Sequence, residues 1–320
     1  MFRTMALTGS TGFIGTALLR RLTQAGWRVR ALCRKIPSGS LPRDAGGAVE
    51  WVIGRLEDSE SLYRLVRGAD VVVNCAGAIR GACADDFRRV NVEGVARLVY
   101  AARAIHPVPR FLLISSLAAR EPQLSYYAAS KRAGEDALRS AAGDMPWTAL
   151  RPPAVYGPGD RETLPLVRCM QRGFSPILGR ADARFSLLFV DDLADAVRHL
   201  LESAQWSEVP FEIHDGQTGG YTWEELIQIV AQIIGRPVRR FRIPVWFMQT
   251  AARGNLWLSR RMGYAPMLTP GKVRELTHPN WVCNDAALRR ATGWEPRFQL
   301  EAGMRRTLEH LRNGRWMVQR

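Results

Sequence analysis

Short β-rich runs alternate with amphipathic helical stretches through the first half of the chain. The predicted strands are Thr4–Thr8, Arg28–Cys33, Val49–Ile53, Val71–Cys75, Phe111–Ser115 and Thr148–Arg151. The predicted helices are Gly12–Gln24, Ser59–Val66, Asp85–Ile105 and Tyr126–Ala141. Uninterrupted apolar runs, as at 71–73, are typical of strands that helices cover on both faces. The pattern therefore predicts an α/β fold with a Rossmann-type, doubly wound parallel sheet.

The alternation fades after Pro152-Pro153, where Pro and Gly residues at 157–159 indicate a change of organisation. We therefore expect a dinucleotide-binding domain at residues 1–160 and a smaller C-terminal substrate-binding domain at 161–182 and 205–320. The chain is expected to return to the first domain at about 183–204.

Two local signals support this division. A predicted strand at Phe185–Val190 leads into a helix at Asp191–Ser203. Farther on, Thr222 and Glu225 form a capping box for a helix that ends at Gly235, and the remainder is expected to be loop-rich.

The composition fits a cytoplasmic protein. The longest uncharged apolar run, Ile243–Ala252, is too short to cross a bilayer, and the N-terminus shows no signal-peptide pattern. The five cysteines are odd in number and scattered, which favours reduced thiols. Because the five histidines are equally dispersed, we expect no metal centre.

The net charge of +15 comes almost entirely from arginine. Only Lys35, Lys131 and Lys272 are lysines among the 45 basic residues. These residues do not form one block, and no nucleic-acid-binding motif accompanies them, so we expect no nucleic-acid partner. An anionic small molecule and an anionic membrane surface remain compatible with the charge.

A glycine-rich turn follows the first predicted strand. In Thr8-Gly9-Ser10-Thr11-Gly12-Phe13-Ile14-Gly15, the glycines permit a tight turn and a close approach of the backbone to a pyrophosphate. The N–H groups at the start of the next helix would then face the phosphates. The turn predicts nucleotide binding.

The end of the second strand indicates which nucleotide is bound. Enzymes that use NAD usually carry an Asp or Glu here for the ribose 2′-hydroxyl. No acidic residue occurs from Gly26 to Arg43, whereas Arg34 and Lys35 lie where a 2′-phosphate would be bound. We predict that NADP(H) is preferred, with NAD(H) as the alternative if both side chains are ordinary solvated residues.

Tyr127 and Lys131 lie four residues apart at the start of a predicted helix, and therefore on one face. A nearby ammonium can lower the pKa of a phenol from its usual value near 10, so Tyr127 is a candidate general acid and base. Ser115 and Ser116 end the preceding strand, and either hydroxyl could orient the same reacting oxygen.

Taken together, these residues resemble the extended short-chain dehydrogenase/reductase family, also called the NAD-dependent epimerase/dehydratase family. The likeness covers nearly the whole chain. The motifs that carry it are Thr8-Gly9-x-x-Gly12-x-x-Gly15, Asn74-Cys75-Ala76-Gly77, Asn91-Val92-x-Gly94, Ser115-Ser116, Tyr127-x-x-x-Lys131, Arg151-Pro152-Pro153-x-Val155-Tyr156-Gly157-Pro158-Gly159, Val190-Asp191-Asp192-Leu193-Ala194 and Gly293-Trp294-x-Pro296.

The resemblance implies a catalytic site of Tyr127, Lys131 and Ser116, with Lys131 also binding the nicotinamide ribose. It implies that Asp58 contacts the adenine, although Arg55 replaces a common Asp of the family. The residues expected to bind the cofactor are Gly9, Thr11, Gly12, Phe13, Ile14, Gly15, Arg34, Leu56, Asp58, Ala76, Gly77, Lys131 and Pro153.

Three functions remain open. The first is an NADP(H)-dependent oxidoreductase that interconverts a ketone and a secondary alcohol. The second is a sugar-nucleotide epimerase or dehydratase that retains NAD. The spacing from Ser116 to Tyr127 is shorter than in typical epimerases, which favours the first. The third is a non-catalytic sensor or scaffold that binds NADPH. A homodimer is compatible with each of them.

The aromatic residues of 243–258 allow three interpretations. Trp246, Phe247 and Trp257 could line an apolar pocket for a hydrophobic substrate. Because Arg253, Arg260 and Arg261 flank them, the segment could instead lie on an anionic membrane surface. The third interpretation is an ordinary core helix.

Overall fold

The computed structural model describes residues 3–37 and 47–313. Numbered along the chain, the strands of these residues are β1 (Thr4–Thr8), β2 (Arg28–Cys33), β3 (Val49–Ile53), β4 (Val71–Asn74), β5 (Arg110–Ile114), β6 (Trp147–Arg151), β7 (Ala154–Tyr156), β8 (Phe174–Leu178), β9 (Arg184–Phe185), β10 (Leu187–Phe189), β11 (Pro210–Glu212), β12 (Arg239–Ile243) and β13 (Asn280–Trp281). The α-helices are α1 (Phe13–Gln24), α2 (Ser59–Val66), α3 (Ala84–Arg88), α4 (Gly94–Arg103), α5 (Tyr126–Ala142), α6 (Leu164–Gln171), α7 (Val190–Glu202), α8 (Trp223–Ile234), α9 (Val245–Met262), α10 (Pro270–Thr277), α11 (Ala286–Thr292) and α12 (Leu300–Arg312).

A seven-stranded parallel sheet forms the centre of the molecule. Its strand order is β11-β6-β5-β4-β1-β2-β3. The order reverses direction between β1 and β4, which pair directly, and ligands of open α/β sheets bind at such a switch point. The predicted α/β fold with a doubly wound parallel sheet is confirmed.

Apolar side chains cover the sheet on both faces. On one face, α1 and α7 pack through residues such as Leu18, Leu22 and Val197. On the other, α2, α4 and α5 pack through residues such as Leu62 and Leu98. The run at 71–73 is buried throughout, as its uninterrupted apolar sequence predicts.

A second apolar cluster lies beside this core. It includes Trp223 and Val230 of α8, Leu300 and Met304 of α12, and Tyr156 at the end of β7. Three two-stranded parallel sheets surround it, pairing β7 with β10, β8 with β12, and β9 with β13. The prediction for α8 is confirmed, since Thr222 and Glu225 form the capping box and Gly235 ends the helix in the left-handed region.

The structure corrects the sequence interpretation at several places. Strand β11 extends the central sheet by pairing with β6, although its residues were assigned to the smaller domain. The strand expected at Phe185–Val190 is divided into β9 and β10, and neither joins the central sheet. The part after Gly235 is not loop-rich, because α9 to α12 lie there.

The helix expected at Asp85–Ile105 is also interrupted. Between α3 and α4, residues Arg89–Glu93 form one turn of π-helix. The side chain of Asn91 in this turn bonds to groups outside the helix, as described below. Among the described residues, no helix is long and apolar enough to span a bilayer.

Candidate active site

The glycine-rich turn joins β1 to α1 and packs against the chain that follows β4. Gly9 has a φ of +70°, and a Cβ there would lie 2.6 Å from the Ala76 nitrogen. A Cβ at Gly15 would lie 2.0 Å from the Gly9 carbonyl oxygen. Both positions therefore require glycine, and the turn brings the predicted cofactor residues Gly9 and Ala76 into contact.

The start of α1 fits a bound pyrophosphate. Gly12 is its N-cap residue, so no side chain bonds to the N–H groups of the first turn, and that turn contains no acidic residue. Thr11 and Gly12 are exposed, whereas Phe13 and Ile14 are half-buried. A helix N-terminus in this state carries partial positive charge and free donors, which suits a dinucleotide phosphate.

The end of β2 lies beside this turn. The Ser10 hydroxyl donates a hydrogen bond to the Leu32 carbonyl at 3.0 Å, which fixes the turn against β2. Arg34 follows the strand and is exposed. It is therefore available to a phosphate of a nucleotide bound at the turn, and its contact with a 2′-phosphate stays a prediction.

The residues expected near adenine have structural partners. The carboxylate of Asp58 caps α2 by accepting a hydrogen bond from the Glu60 N–H at 3.1 Å. Leu56 is nearly buried and lies against Gly94, where a Cβ would approach its Cδ1 to 2.9 Å. Their adenine contacts stay predictions.

Asn91 positions the loop that follows β4. Its amide oxygen accepts from the Ala78 N–H at 2.8 Å, and its amide nitrogen donates to the Ala78 carbonyl at 2.9 Å. The same nitrogen donates to the Ser130 hydroxyl of α5 at 2.8 Å. A Cβ at Gly77 would lie 3.4 Å from the Asn91 Oδ1 and 3.8 Å from the Lys131 Nζ, so this glycine leaves room beside the lysine.

Tyr127 lies in the first turn of α5. Ser125 caps this helix by accepting from the Ala128 N–H at 2.9 Å. The Ser116 side chain is close enough to the Tyr127 phenol to lower its pKa, and the Tyr127 ring packs edge-on against Phe87 with centroids 6.2 Å apart. The structure therefore brings Ser116 and Tyr127 near each other, and their catalytic roles stay predictions.

Ser115 has a different environment. It is buried and donates to Glu135 of α5 at 2.5 Å. The same carboxylate pairs with Arg151 at the end of β6, with an N–O distance of 2.5 Å. Ser115 thus helps to fix α5 to the sheet, whereas Ser116 is the serine that contacts Tyr127. The half-buried Pro153 lies just beyond this ion pair.

Lys131 is buried one turn along α5 from Tyr127. Its ammonium donates to the Ile114 carbonyl at 2.8 Å. Burial lowers the pKa of Lys131 to about 8, against the opposing influence of Cys75 and Glu135. Burial likewise raises the pKa of Cys75 to about 12, so its thiol stays neutral beside the lysine.

The expectation that Lys131 lowers the pKa of Tyr127 is wrong. Burial raises the pKa of Tyr127 to about 12; the hydrogen bond from Ser116 opposes the shift and Glu275 adds to it. The physical reason is that Tyr127 loses solvent while the Lys131 ammonium is directed at the Ile114 carbonyl. Tyr127 is consequently a protonated donor at neutral pH.

A cavity of about 460 Å³ opens beside the phenol. Its wall combines apolar side chains with polar and charged ones, among them Lys272 and Glu275. The apolar side chains that line it include Ile79, Phe87, Leu256, Pro266 and Met267. Small-molecule sites commonly combine such a wall with a few placed polar groups.

A second lysine, to which the sequence assigns no role, lies at this cavity. Lys272, in the first turn of α10, holds its ammonium 5.8 Å from the centre of the Tyr127 ring. It pairs with Glu275 at 2.8 Å, and that buried carboxylate also accepts a hydrogen bond from Ser125. The available signal was the rarity of lysine in an arginine-rich chain.

The aromatic residues of α9 do not line this cavity. Trp246, Phe247 and Trp257 have exposed fractions of 69%, 56% and 61%, and only Leu256 of this helix contributes to the wall. The pocket interpretation of these aromatics is therefore wrong. The core-helix interpretation is wrong for them as well, because they face solvent.

Comparison with known proteins places the chain among reductases and epimerases. It is 39% identical over 315 residues to a ceramide reductase of Caulobacter vibrioides, which covers 98% of this chain and 96% of that protein. It is 27% identical to a 2-alkyl-3-oxoalkanoate reductase of Stenotrophomonas maltophilia, over 94% of this chain and 97% of that protein. It is 25% identical to a UDP-glucose 4-epimerase of Vibrio cholerae, over 97% and 95% of the two chains.

Solved structures confirm the fold. A UDP-glucuronic acid 4-epimerase from Bacillus cereus in complex with NAD superposes with a TM-score of 0.75 at 16% identity, over 97% of this chain and 99% of that one. The model of the NAD-dependent epimerase/dehydratase family matches residues 5–212. The chain therefore belongs to the NAD-dependent epimerase/dehydratase family, within the extended short-chain dehydrogenases/reductases, and is an NAD(P)-dependent oxidoreductase.

Proposed function

We propose that the protein is an NADPH-dependent reductase that converts a ketone on a lipid-like molecule into a secondary alcohol. The observation that carries the proposal is Tyr127, which is protonated at neutral pH, lies near Ser116 and contributes to the wall of a cavity with several apolar side chains. Similarity to a ceramide reductase over almost the whole of both chains supports the substrate class.

The residues of the site suit the reductive direction. When bound, the reduced nicotinamide supplies the hydride for the carbonyl carbon. Tyr127, protonated at neutral pH, donates its proton to the carbonyl oxygen, and Ser116 orients that oxygen through its hydroxyl. Lys131, whose buried ammonium is bonded to the Ile114 carbonyl one turn along α5, would hold the nicotinamide ribose.

The cofactor preference rests on charge at the end of β2. Arg34 is exposed there, and no acidic residue occurs between Gly26 and Arg43 to bind a ribose 2′-hydroxyl. A guanidinium matches a phosphate in bidentate geometry, which supports NADPH over NADH.

The proposed substrate is a long-chain oxo-lipid of the ceramide type. Two reductases similar to this chain bear names that refer to ceramide and to 2-alkyl-3-oxoalkanoate, molecules that carry alkyl chains. The apolar wall around Leu256 and Met267 suits such a chain. We also propose a cytoplasmic location, which the five free cysteines support.

The main alternative is a sugar-nucleotide epimerase, which the 25% identity to a UDP-glucose 4-epimerase favours. An epimerase recycles its cofactor, so the purified protein would retain tightly bound NAD and act on UDP-sugars. A non-catalytic NADPH-binding protein would turn over neither substrate class.

The test is NADPH oxidation with an oxo-ceramide, together with the conversion of UDP-glucose into its 4-epimer, using the wild type and Tyr127→Phe. We expect turnover of the oxo-lipid alone, and a loss of about 10²–10⁴-fold in the variant with NADPH binding retained. Tyr100→Phe serves as the matched control, since it removes the same hydroxyl from an exposed tyrosine of α4. The proposal would be overturned if Tyr127→Phe turned over the oxo-lipid as fast as the wild type does. Activity confined to UDP-sugars would also overturn it.

A further inference from the structure

One segment of the chain has basic residues but no acidic ones. Residues 226–274 contain nine basic residues and not one Asp or Glu. The basic residues are Arg236, Arg239, Arg240, Arg242, Arg253, Arg260, Arg261, Lys272 and Arg274. More than half of the net charge of +15 therefore lies within this stretch, which contains β12 and α9.

Helix α9 contacts the rest of the molecule along one narrow stripe. Met248, Ala252 and Ser259 are its buried residues, and their spacing of four and seven places them on one side of the helix. This stripe packs against α10 and neighbouring residues such as Val273 and Leu268. The remaining circumference is largely free of contacts with the described residues.

The opposite side of α9 carries large apolar side chains. Trp246 and Trp257 are eleven residues apart, which is three helical turns, so both project on the same side about 16 Å apart along the axis. Phe247 and Leu258 repeat this spacing beside them, with exposed fractions of 56% and 42%. Met262 ends the helix with 68% exposure.

The arginines at the edge of this side lack compensating charge. Within the described ranges, no carboxylate forms a salt bridge with Arg242, Arg253 or Arg260, all of which are exposed. Arg261 lies over the Trp257 ring at 5.1 Å. The outward side of α9 is thus both apolar and cationic.

We propose that α9 docks on the surface of an anionic lipid bilayer, with its axis in the membrane plane. Exposed tryptophans favour the interface of a membrane, and arginines beside them attract anionic headgroups. A helix with apolar residues at both ends of one side and no acidic residue has the chemistry of an interfacial helix. A symmetric contact with a second copy is disfavoured, because it would bring the same uncompensated arginines together.

Docking through α9 also explains how a lipid could reach the cavity. Leu256 belongs to the same helix and lines the cavity beside Tyr127. This step rests on the proposed function, because it assumes a lipid substrate. The docking itself depends only on the surface of α9, and vesicle binding measures it without any turnover.

The experiment is co-sedimentation of the full chain with vesicles of phosphatidylcholine, with and without phosphatidylglycerol. We expect binding to the anionic vesicles that weakens with added salt, and little binding to phosphatidylcholine alone. Trp246→Ala/Trp257→Ala should weaken binding by at least about 10-fold. Arg253→Gln/Arg260→Gln/Arg261→Gln should weaken it by about 100-fold and reduce the salt dependence.

Matched controls use exposed residues elsewhere. Tyr63→Ala/Tyr100→Ala removes two exposed aromatics from other helices, and Arg67→Gln/Arg290→Gln/Arg312→Gln removes the same charge as the α9 variant. Both should bind vesicles like the wild type. An equal loss of vesicle binding in the control and α9 variants would overturn the proposal. So would a wild type that does not bind vesicles but forms a dimer that the tryptophan variant abolishes. Unchanged NADPH oxidation of a short soluble ketone by the α9 variants would show that their catalytic site is intact.

Discussion

Two of the three lysines of this arginine-rich chain belong to the region of Tyr127 and have different surroundings. Lys131, one turn along α5 from Tyr127, is buried and bonded to a backbone carbonyl. Lys272 approaches the Tyr127 ring from α10, is partly exposed and pairs with Glu275. A lysine ammonium is a compact charge whose pKa shifts on burial, and arginine stays charged at every accessible pH. This difference gives a physical reason for lysine at position 131.

The titration of Lys131 predicts a pH dependence. Its pKa is about 8, so its charge is present below this pH and is lost as the pH rises through it. If the charged ammonium binds the nicotinamide ribose, as proposed, kcat/KM for NADPH should fall above about pH 8. The measurement is the pH profile of NADPH-dependent reduction, which reports on groups of the free enzyme. A profile that stays flat through this range would contradict the assignment.

Lys272 provides a second prediction at the scale of one residue. Its ammonium lies at the cavity wall, so it can bind a polar group of the substrate without transferring a proton to it. Lys272→Gln should raise KM for the carbonyl substrate by about 5–10-fold while changing kcat by less than about 3-fold. Lys272→Arg should restore most of the affinity. A fall in kcat without a change in KM would instead place Lys272 in the chemical step.

At the scale of elements, helix α5 is fixed to the sheet by one buried carboxylate. Glu135 accepts from Ser115 on the β5 side and pairs with Arg151 at the end of β6. The interaction therefore sets the distance between the helix that carries Tyr127 and the strand end that carries Ser116. Loss of this carboxylate leaves the largely buried Arg151 without its ion-pair partner.

Glu135→Ala should consequently lower the free energy of unfolding by about 3–5 kcal/mol. Urea denaturation followed by circular dichroism measures this change. Asp136→Ala is the matched control, because that carboxylate is 55% exposed and lies 3.7 Å from Arg132 on the same helix. The control should cost less than about 1 kcal/mol. Similar losses in the two variants would show that the buried pair is not the fixing contact.

Elements whose boundaries depend on local sequence could be predicted. The bounds of β1, β2, β3 and α2 match the expectation. Helix α8 begins at its capping box and ends at Gly235, as predicted. The π-helical turn was not predicted, because the sequence around Asn91 reads as one continuous helix; the side chain of Asn91 there bonds to Ala78 and Ser130, outside the turn. Strand β11 was missed for a related reason, since three residues after a loop have too little pattern to reveal their pairing with β6.

The same distinction applies to the site. The glycine turn, Tyr127 and Lys131 belong to short motifs, and the strand end supplies Ser116, so their placement together follows from the fold that the sequence predicts. Lys272 and Glu275 reach Tyr127 from α10, which is distant in sequence and shows no motif. The pKa of Tyr127 was misjudged because its burial depends on this same tertiary packing.

At the scale of the whole molecule, Asp192 joins the Rossmann core to the C-terminal part of the chain. It lies in the first turn of α7, whose residues Val190 and Leu193 belong to the core around β1. Its carboxylate accepts hydrogen bonds from the N–H groups of Arg297 at 3.1 Å and Phe298 at 2.8 Å. Phe298 packs in the second apolar cluster, so one buried carboxylate bonds between the two cores.

This position predicts how the stability of the molecule depends on pH. Burial raises the pKa of Asp192 to about 6, against the hydrogen bonds from Phe298 and Arg297. The folded state therefore binds a proton more tightly than the unfolded state, and the contribution of Asp192 to stability declines as the pH rises through about 6. In Asp192→Asn, the amide oxygen can still accept both N–H groups, but the side chain no longer titrates.

From about pH 5 to about pH 7.5, the free energy of unfolding of the wild type should fall by about 1–2 kcal/mol relative to Asp192→Asn. Urea denaturation of both proteins at each pH measures the difference. Asp191→Asn is the control, since the neighbouring carboxylate is partly exposed and pairs with Arg20 at the surface. The free energy of unfolding of this control should differ from that of the wild type by a nearly constant amount over this range. A constant difference for Asp192→Asn as well would mean that this carboxylate stays ionised where the two cores meet, held by the N–H groups of Arg297 and Phe298 despite its burial.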